Sequence, residues 1–182
     1  MDIFNNIYFV GGIHGVGKST ICKRLASELD IEYLSASEVL KWNEINTDIK
    51  NKRVNDIPNT QDRLINGLKG IILSNKRYIL DGHFCLFNKD GIATKIPLET
   101  FLSINPITLT IIIGDIEEIT LGLASRDKRD YSQESLKYMQ DLEETYADNI
   151  SNALNTPLLK FFKKDYDLHY KTLLSKLNES IT

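Results

Sequence analysis

A basic excess, metal-type cysteine clusters and long apolar runs are all missing from this chain, and each absence removes a class of function. Its 182 residues carry 22 Lys+Arg against 25 Asp+Glu, a formal net charge of −3. Nonspecific attachment to nucleic acid needs a broad basic face that displaces counterions, so no extended nucleic-acid surface is expected and any anion site must be a local pocket. The two cysteines, Cys22 and Cys85, have no Cys-x-x-Cys or histidine-rich companion spacing, which argues against a zinc site and a disulfide framework and fits a reducing cytoplasm. No run approaches the roughly 18 apolar residues of a spanning helix. The apolar stretch at residues 7–10 is too short for a signal-peptide core, so no membrane association is expected. Internal repeats and low-complexity tracts are missing too, and nothing in the sequence indicates a protein partner.

At 42% hydrophobic residues, the chain is long enough for one good core and short for two, so a single domain spanning residues 1–182 is expected. Residues 7–10, 31–34, 78–80, 107–113 and 157–162 are short runs rich in β-branched and aromatic residues and predict five strands. Between them, apolar residues recur at helical spacing: Ile21, Leu25 and Leu29; then Leu64, Leu68, Ile71 and Ile72; then Leu136 to Leu154. Residues 88–95, around Asp90-Gly91, read as a turn-rich loop. The polar stretch 43–59, closed by Pro58, reads as a mobile insertion. Strands alternating with helices predict a parallel sheet covered on both faces, with ligands outside the carboxyl ends of the strands.

One motif is sharp. Gly12-Ile13-His14-Gly15-Val16-Gly17-Lys18-Ser19 satisfies G-x-x-x-x-G-K-[ST] between a strand and a helix that are predicted independently of it. Its glycines let successive backbone N–H groups turn toward phosphate oxygens, and the helix N-terminus adds its own free donors. Lys18 then reaches the β- and γ-phosphates, Ser19 offers its hydroxyl to Mg²⁺, and Thr20 assists near the α-phosphate. His14 is either a ligand contact or a loop residue that fits the backbone. Asp81, at the end of the third strand, is the candidate for orienting water on Mg²⁺. The expected fold is α/β, a P-loop NTPase three-layer sandwich with a five-stranded parallel sheet. The expected small molecules are ATP and Mg²⁺.

A GTPase is disfavoured because neither Asn88-Lys89-Asp90-Gly91 nor Asn75-Lys76-Arg77-Tyr78 supplies N-K-x-D. The glycine loop GIHGVGKST, the segment Leu34-Ser35-Ala36-Ser37-Glu38-Val39-Leu40-Lys41 and the tetrapeptide Leu80-Asp81-Gly82-His83 together resemble the archaeal type of adenylate kinase, although His14 stands where proline is common. The resemblance implies phosphoryl transfer from ATP to a nucleoside monophosphate, AMP first. It implies Ser35, Ser37, Lys41 and His83 as acceptor contacts, residues 43–59 as part of a small acceptor-binding insertion, and residues 124–133 as a short lid. Arg126 and Arg129 on that lid are implied to meet the charge of the transferring phosphoryl group, beside Lys18. The bacterial D-G-F-P-R arginine is missing here, since Asp81-Gly82 continues as His83-Phe84-Cys85. A slow ATPase switch, or a kinase of a non-nucleotide metabolite or nucleic-acid end, is the alternative.

Overall fold

The computed structural model describes residues 4–40, 53–54, 57–128 and 130–181. The order is β1 (Ile7–Gly11), α1 (Lys18–Leu29), β2 (Glu32–Ser35), α2 (Ala36–Val39), β3 (Arg53–Val54), α3 (Ile57–Ile71), β4 (Tyr78–Asp81), β5 (Cys85–Asn88), β6 (Ala93–Lys95), α4 (Leu98–Ile104), β7 (Thr108–Ile113), α5 (Ile116–Asp127), α6 (Gln133–Leu154), β8 (Leu158–Phe162), a 3₁₀ turn (Lys163–Asp165) and α7 (Tyr166–Ile181).

Five strands form one parallel sheet in the order β2-β4-β1-β7-β8. Alternation along β1 splits the core into two layers, because successive side chains of a strand leave on opposite faces. Tyr8 and Val10 join α1 and α7 through Ile21, Leu25, Leu173 and Leu177. Ile7 and Phe9 join α3, α4 and α6 through Leu68, Phe101 and Ile150. Phe9, Phe84 and Phe101 meet with ring centroids 5.1 to 5.6 Å apart, a separation that favours edge and offset contacts. The central place of β7 follows from its sequence: Thr108 to Ile112 are all buried and none is ionisable.

The register fixes the functional edge. Val10 and Ser35 both lie opposite Asp81, on the two sides of β4. Three strands therefore end at one level, and the chain leaves β1 there into the glycine loop. Pro58 falls in the first turn of α3, where its missing N–H has no intrahelical partner to lose.

Two expectations change, and a third falls largely on residues that are not described. The stretch 88–95 is not simply a loop. β5 and β6 form an antiparallel hairpin around it, with Asn88 Oδ1 accepting from the backbone N–H groups of Asp90 and Ile92. Its strands are short enough that the Asp-Gly turn signal dominated the sequence pattern. Ile71 is 43% exposed rather than buried, because it ends α3 and the chain turns away into a segment pinned by Asn6, whose Nδ2 donates to Leu73 O and Lys76 O. The stretch 43–59 lies largely outside the described residues; its described part holds β3 and the start of α3.

Ile79 is fully buried, whereas Leu121 is 64% exposed. Ile79→Ala is expected to lower the free energy of unfolding by about 2–5 kcal/mol and Leu121→Ala by less than about 0.5 kcal/mol, read from urea denaturation.

Candidate active site

The glycine loop follows β1 directly and is held by close packing. Gly12 has φ +145° and a Cβ there would lie 2.7 Å from the Ile112 carbonyl; Gly15 has φ +83° and a Cβ would lie 2.7 Å from the Leu123 side chain. Both positions require glycine on two counts, backbone conformation and space. Val16 is fully buried and anchors the loop from below, while Ser19 and Thr20 stay exposed at the first turn of α1. Gly17 caps that helix in the left-handed region, leaving its first N–H groups open to an anion.

Lys18 is buried, and its Nζ donates to Gly12 O at 2.8 Å and Ile13 O at 3.2 Å. Burial pushes this ammonium below its ordinary pKa, against the pull of the Asp81 and Glu143 carboxylates. Asp81 is 8% exposed, and the Tyr33 hydroxyl donates to its Oδ2 at 3.2 Å. The same burial raises the Cys22 thiol behind the loop, leaving it protonated and inert.

The opposite rim is built by α5. Arg126 Nη2 lies 2.5 Å from His14 Nε2, and the guanidinium also pairs with Asp127 at 2.7 and 3.0 Å. A guanidinium can only donate, so His14 Nε2 is the acceptor in this contact. The Arg126 hydrogen bond holds the Asp127 carboxyl far below the usual range, helped by the Tyr131 hydroxyl. Two site residues expected from sequence, His14 and Arg126, are thus brought into contact across 112 positions of chain. Within the segment 124–133, α5 continues to Asp127 and Ser132 caps α6 by accepting from Ser135 N. Arg129 and Lys41 lie outside the described residues.

Beside the loop lies a cavity of about 240 Å³, walled by Lys18, Ser19 and His14 at one end and by residues of α2, α3, β5, α4 and α6 elsewhere. Ser35, Ser37, Asp81 and His83 all line it, so three of the four residues implied as acceptor contacts share a cavity with the phosphate loop. Ser35 and Ser37 hydroxyls are 2.8 Å apart.

Three residues near the loop and the carboxyl edge of the sheet were not evident in the sequence pattern. Gln140 grips Gly114, accepting its N–H and donating to its carbonyl at 3.0 Å each. Glu143, fully buried, accepts from Phe84 N at 2.9 Å and Cys85 N at 3.0 Å, with His83 Nδ1 at 3.6 Å. Spaced i, i+3 on α6, they share a helix face and staple two loops at the carboxyl edge of the sheet. Polar residues on the inward stripe of an otherwise apolar helix were the available signal. The third is Lys163, whose Nζ would lie 3.6 Å from a Cβ on Gly17.

These residues suit ATP with Mg²⁺. Glycines whose side chains would fill the loop leave a cradle for phosphate, and an exposed hydroxyl and a nearby carboxylate are the hard oxygen donors Mg²⁺ prefers. Among the described residues no group of three or more His, Cys, Asp or Glu could hold a metal ion. Among the described residues no helix is long and apolar enough to cross a membrane.

A sequence profile described as an AAA domain matches residues 11–140. No curated protein matches this sequence. Among solved structures, the chain is similar to a gluconokinase from Sinorhizobium meliloti 1021, with a TM-score of 0.61 at 10% identity, covering 98% of this chain and 97% of that one. It is similar to a shikimate kinase from Aquifex aeolicus vf5, with a TM-score of 0.57 at 16% identity, covering 96% and 98%. It is also similar to an uncharacterized protein from Eubacterium ventriosum ATCC 27560, with a TM-score of 0.51 at 17% identity, covering 96% and 98%. At such identities the likeness is one of fold, a five-stranded P-loop kinase sandwich, and closeness to archaeal adenylate kinases goes beyond it. After the matched segment the chain completes that sheet with β8 and packs α7 onto it. Matching from the end of β1 into α6, the chain belongs to the AAA domain family.

Proposed function

We propose that this protein transfers the γ-phosphoryl group of Mg·ATP to a small acceptor held in the cavity beside the phosphate loop. The observation that carries the reading is the shared wall: Lys18 and Ser19 belong both to the loop and to a partly open cavity that extends away from it. A nucleotide switch needs only the phosphate site, whereas a kinase needs a second compartment opening onto the γ-phosphate. The resemblance to archaeal adenylate kinases adds support and makes AMP the first acceptor to try, with Ser35, Ser37, Lys41 and His83 as its contacts.

Each residue then has a physical task. Gly12, His14, Gly15, Val16 and Gly17 present backbone N–H groups to the phosphates, and Lys18 exchanges its two carbonyl acceptors for phosphate oxygens. Ser19 would hold Mg²⁺ directly and Asp81 through water, and the ion would supply charge neutralisation at the phosphates when bound. Thr20 serves the α-phosphate. Phosphoryl transfer leaves a protein little covalent work, so catalysis rests on alignment and on cations that meet the spreading charge. Arg126, which contacts His14 of the loop, is assigned that work here, with Arg129 as its companion. Residues 124–133 act as a lid by carrying both arginines, and 43–59 completes the acceptor lobe. Closure excludes water, which would otherwise take the phosphoryl group. The free thiols of Cys22 and Cys85 suit a cytoplasmic site.

Lys18→Met is expected to abolish ADP formation while moving the ligand-free midpoint of thermal unfolding by no more than about 4 °C, since it replaces a desolvated ammonium by an apolar chain of like length. Arg126→Ala is expected to lower kcat by roughly 10²-fold with ATP affinity nearly unchanged, in a coupled assay of ADP release with acceptor present; an unaltered kcat removes Arg126 from the site. Lys163→Ala is expected to weaken ATP binding, measured by calorimetry, by roughly fivefold to tenfold, as for loss of one charge-assisted hydrogen bond.

A further inference from the structure

The Asp81 carboxylate is held from a strand outside the phosphate loop. β2 and β4 run parallel, with Tyr33 opposite Ile79 and Ser35 opposite Asp81. Side chains of a strand leave on alternate faces, and the packing follows that rule: Tyr33 and Ile79 join the layer that contains Cys22 and Leu25, whereas Leu34 and Leu80 join the other. Tyr33 and Asp81 therefore share a face, one strand and two residues apart. A diagonal of that kind is within reach of aromatic and other long side chains. The Tyr33 hydroxyl closes it by donating to Asp81 Oδ2 at 3.2 Å.

This tether is fixed at both ends. The Tyr33 backbone belongs to the sheet ladder, its ring packs in the layer just named, and the Lys23 ammonium lies 5.3 Å from the ring centroid. Asp81 ends β4, is buried, and walls the cavity together with Lys18 and Ser19. An ionised carboxylate only accepts hydrogen bonds and a phenol donates one at neutral pH, so the direction of the bond follows from the chemistry of the two groups. An aspartate carboxylate otherwise turns through a broad range about its last torsion. Anchoring one oxygen narrows that range and leaves the carboxylate further acceptor sites for a ligand.

We propose that Tyr33 is a positioning residue for the nucleotide's metal ion: its hydroxyl holds the Asp81 carboxylate in a fixed orientation, from which Asp81 orders the water around Mg²⁺. This rests on the reading above, in which Asp81 meets the ion through water. Tyr33 acts through Asp81 and is not itself a ligand. Hydrogen-bond partners that orient a metal-binding carboxylate contribute roughly 10- to 100-fold to metal affinity, and an arrangement through water belongs at the lower end of that range. Phenylalanine at this position keeps the ring, its packing and the face toward Lys23, and removes only the donor.

The test uses an ATP analogue with an imido group in place of the β,γ-bridging oxygen, so that binding is read without turnover. Calorimetry gives its affinity for the native protein, Tyr33→Phe and Asp81→Asn, once with Mg²⁺ and once with EDTA. Electron paramagnetic resonance gives the Mn²⁺ affinity of each analogue complex. The expected result is a loss of about tenfold in Mn²⁺ affinity for Tyr33→Phe, with a metal-specific loss in Asp81→Asn as well, while analogue affinity in EDTA stays within about twofold of native. A Tyr33 that only packs would leave the Mn²⁺ affinity alone, or lower analogue affinity equally with and without metal, and either result overturns the proposal. A metal-specific loss in Asp81→Asn with none in Tyr33→Phe overturns it too and leaves the Asp81 reading standing. No metal-specific loss in Asp81→Asn overturns the Asp81 reading and this proposal with it, and failure of the native protein to bind the analogue overturns the kinase reading itself.

Discussion

The buried ammonium of Lys18 is the constraint around which the rest of the site is arranged. A cation removed from water must be compensated, and in the ligand-free protein two carbonyls of its own loop do so, with the Asp81 and Glu143 charges at longer range. Those carbonyls point inward only because the loop passes through left-handed backbone at Gly15 and Gly17 and through φ +145° at Gly12. The loop in turn has a fixed height because β1 is central and fully buried, paired on one side with β4 and on the other with β7. A poly-anion that brings its own oxygens to Lys18 replaces weak carbonyl contacts by charge-assisted ones, so binding free energy is concentrated at the point where chemistry is needed.

The other constraint is supplied by α6. Glu143 and Gln140 bond to backbone on two loops, and the same helix contributes Leu136 and Met139 to the cavity wall. One helix thereby sets the loop bearing His83, the end of β7 and part of the cavity beside the phosphate loop. Strand β5 of the hairpin contributes Cys85, Leu86 and Phe87 to the cavity wall, so its shape depends on elements outside the phosphate loop.

Legibility in the sequence followed the range of the interactions. The phosphate loop is a local motif with a stereochemical cause, and the five sheet strands are apolar runs whose burial shows as composition, so both could be read directly. The placement of Asp81 at a strand end was legible for the same reason. The hairpin was obscured because three and four residues give too little alternation to outweigh an Asp-Gly turn. The contact of His14 with Arg126, the gripping of Gly114 by Gln140, and the approach of Lys163 to Gly17 join residues far apart in the chain, and only the packed sheet brings them together. Lys41 and Arg129 lie outside the described residues, and their parts remain proposals drawn from resemblance.

In the proposed reaction the γ-phosphoryl group passes to an acceptor rather than to water. Phosphorus NMR of the reaction mixture, followed in time with Mg·ATP and a panel of acceptors, tests this most directly. The expected outcome is phosphorylated acceptor (with AMP, two ADP for each ATP consumed) that forms only when the right acceptor is present, and negligible inorganic phosphate without it. Inorganic phosphate appearing at one rate with or without every acceptor would contradict it.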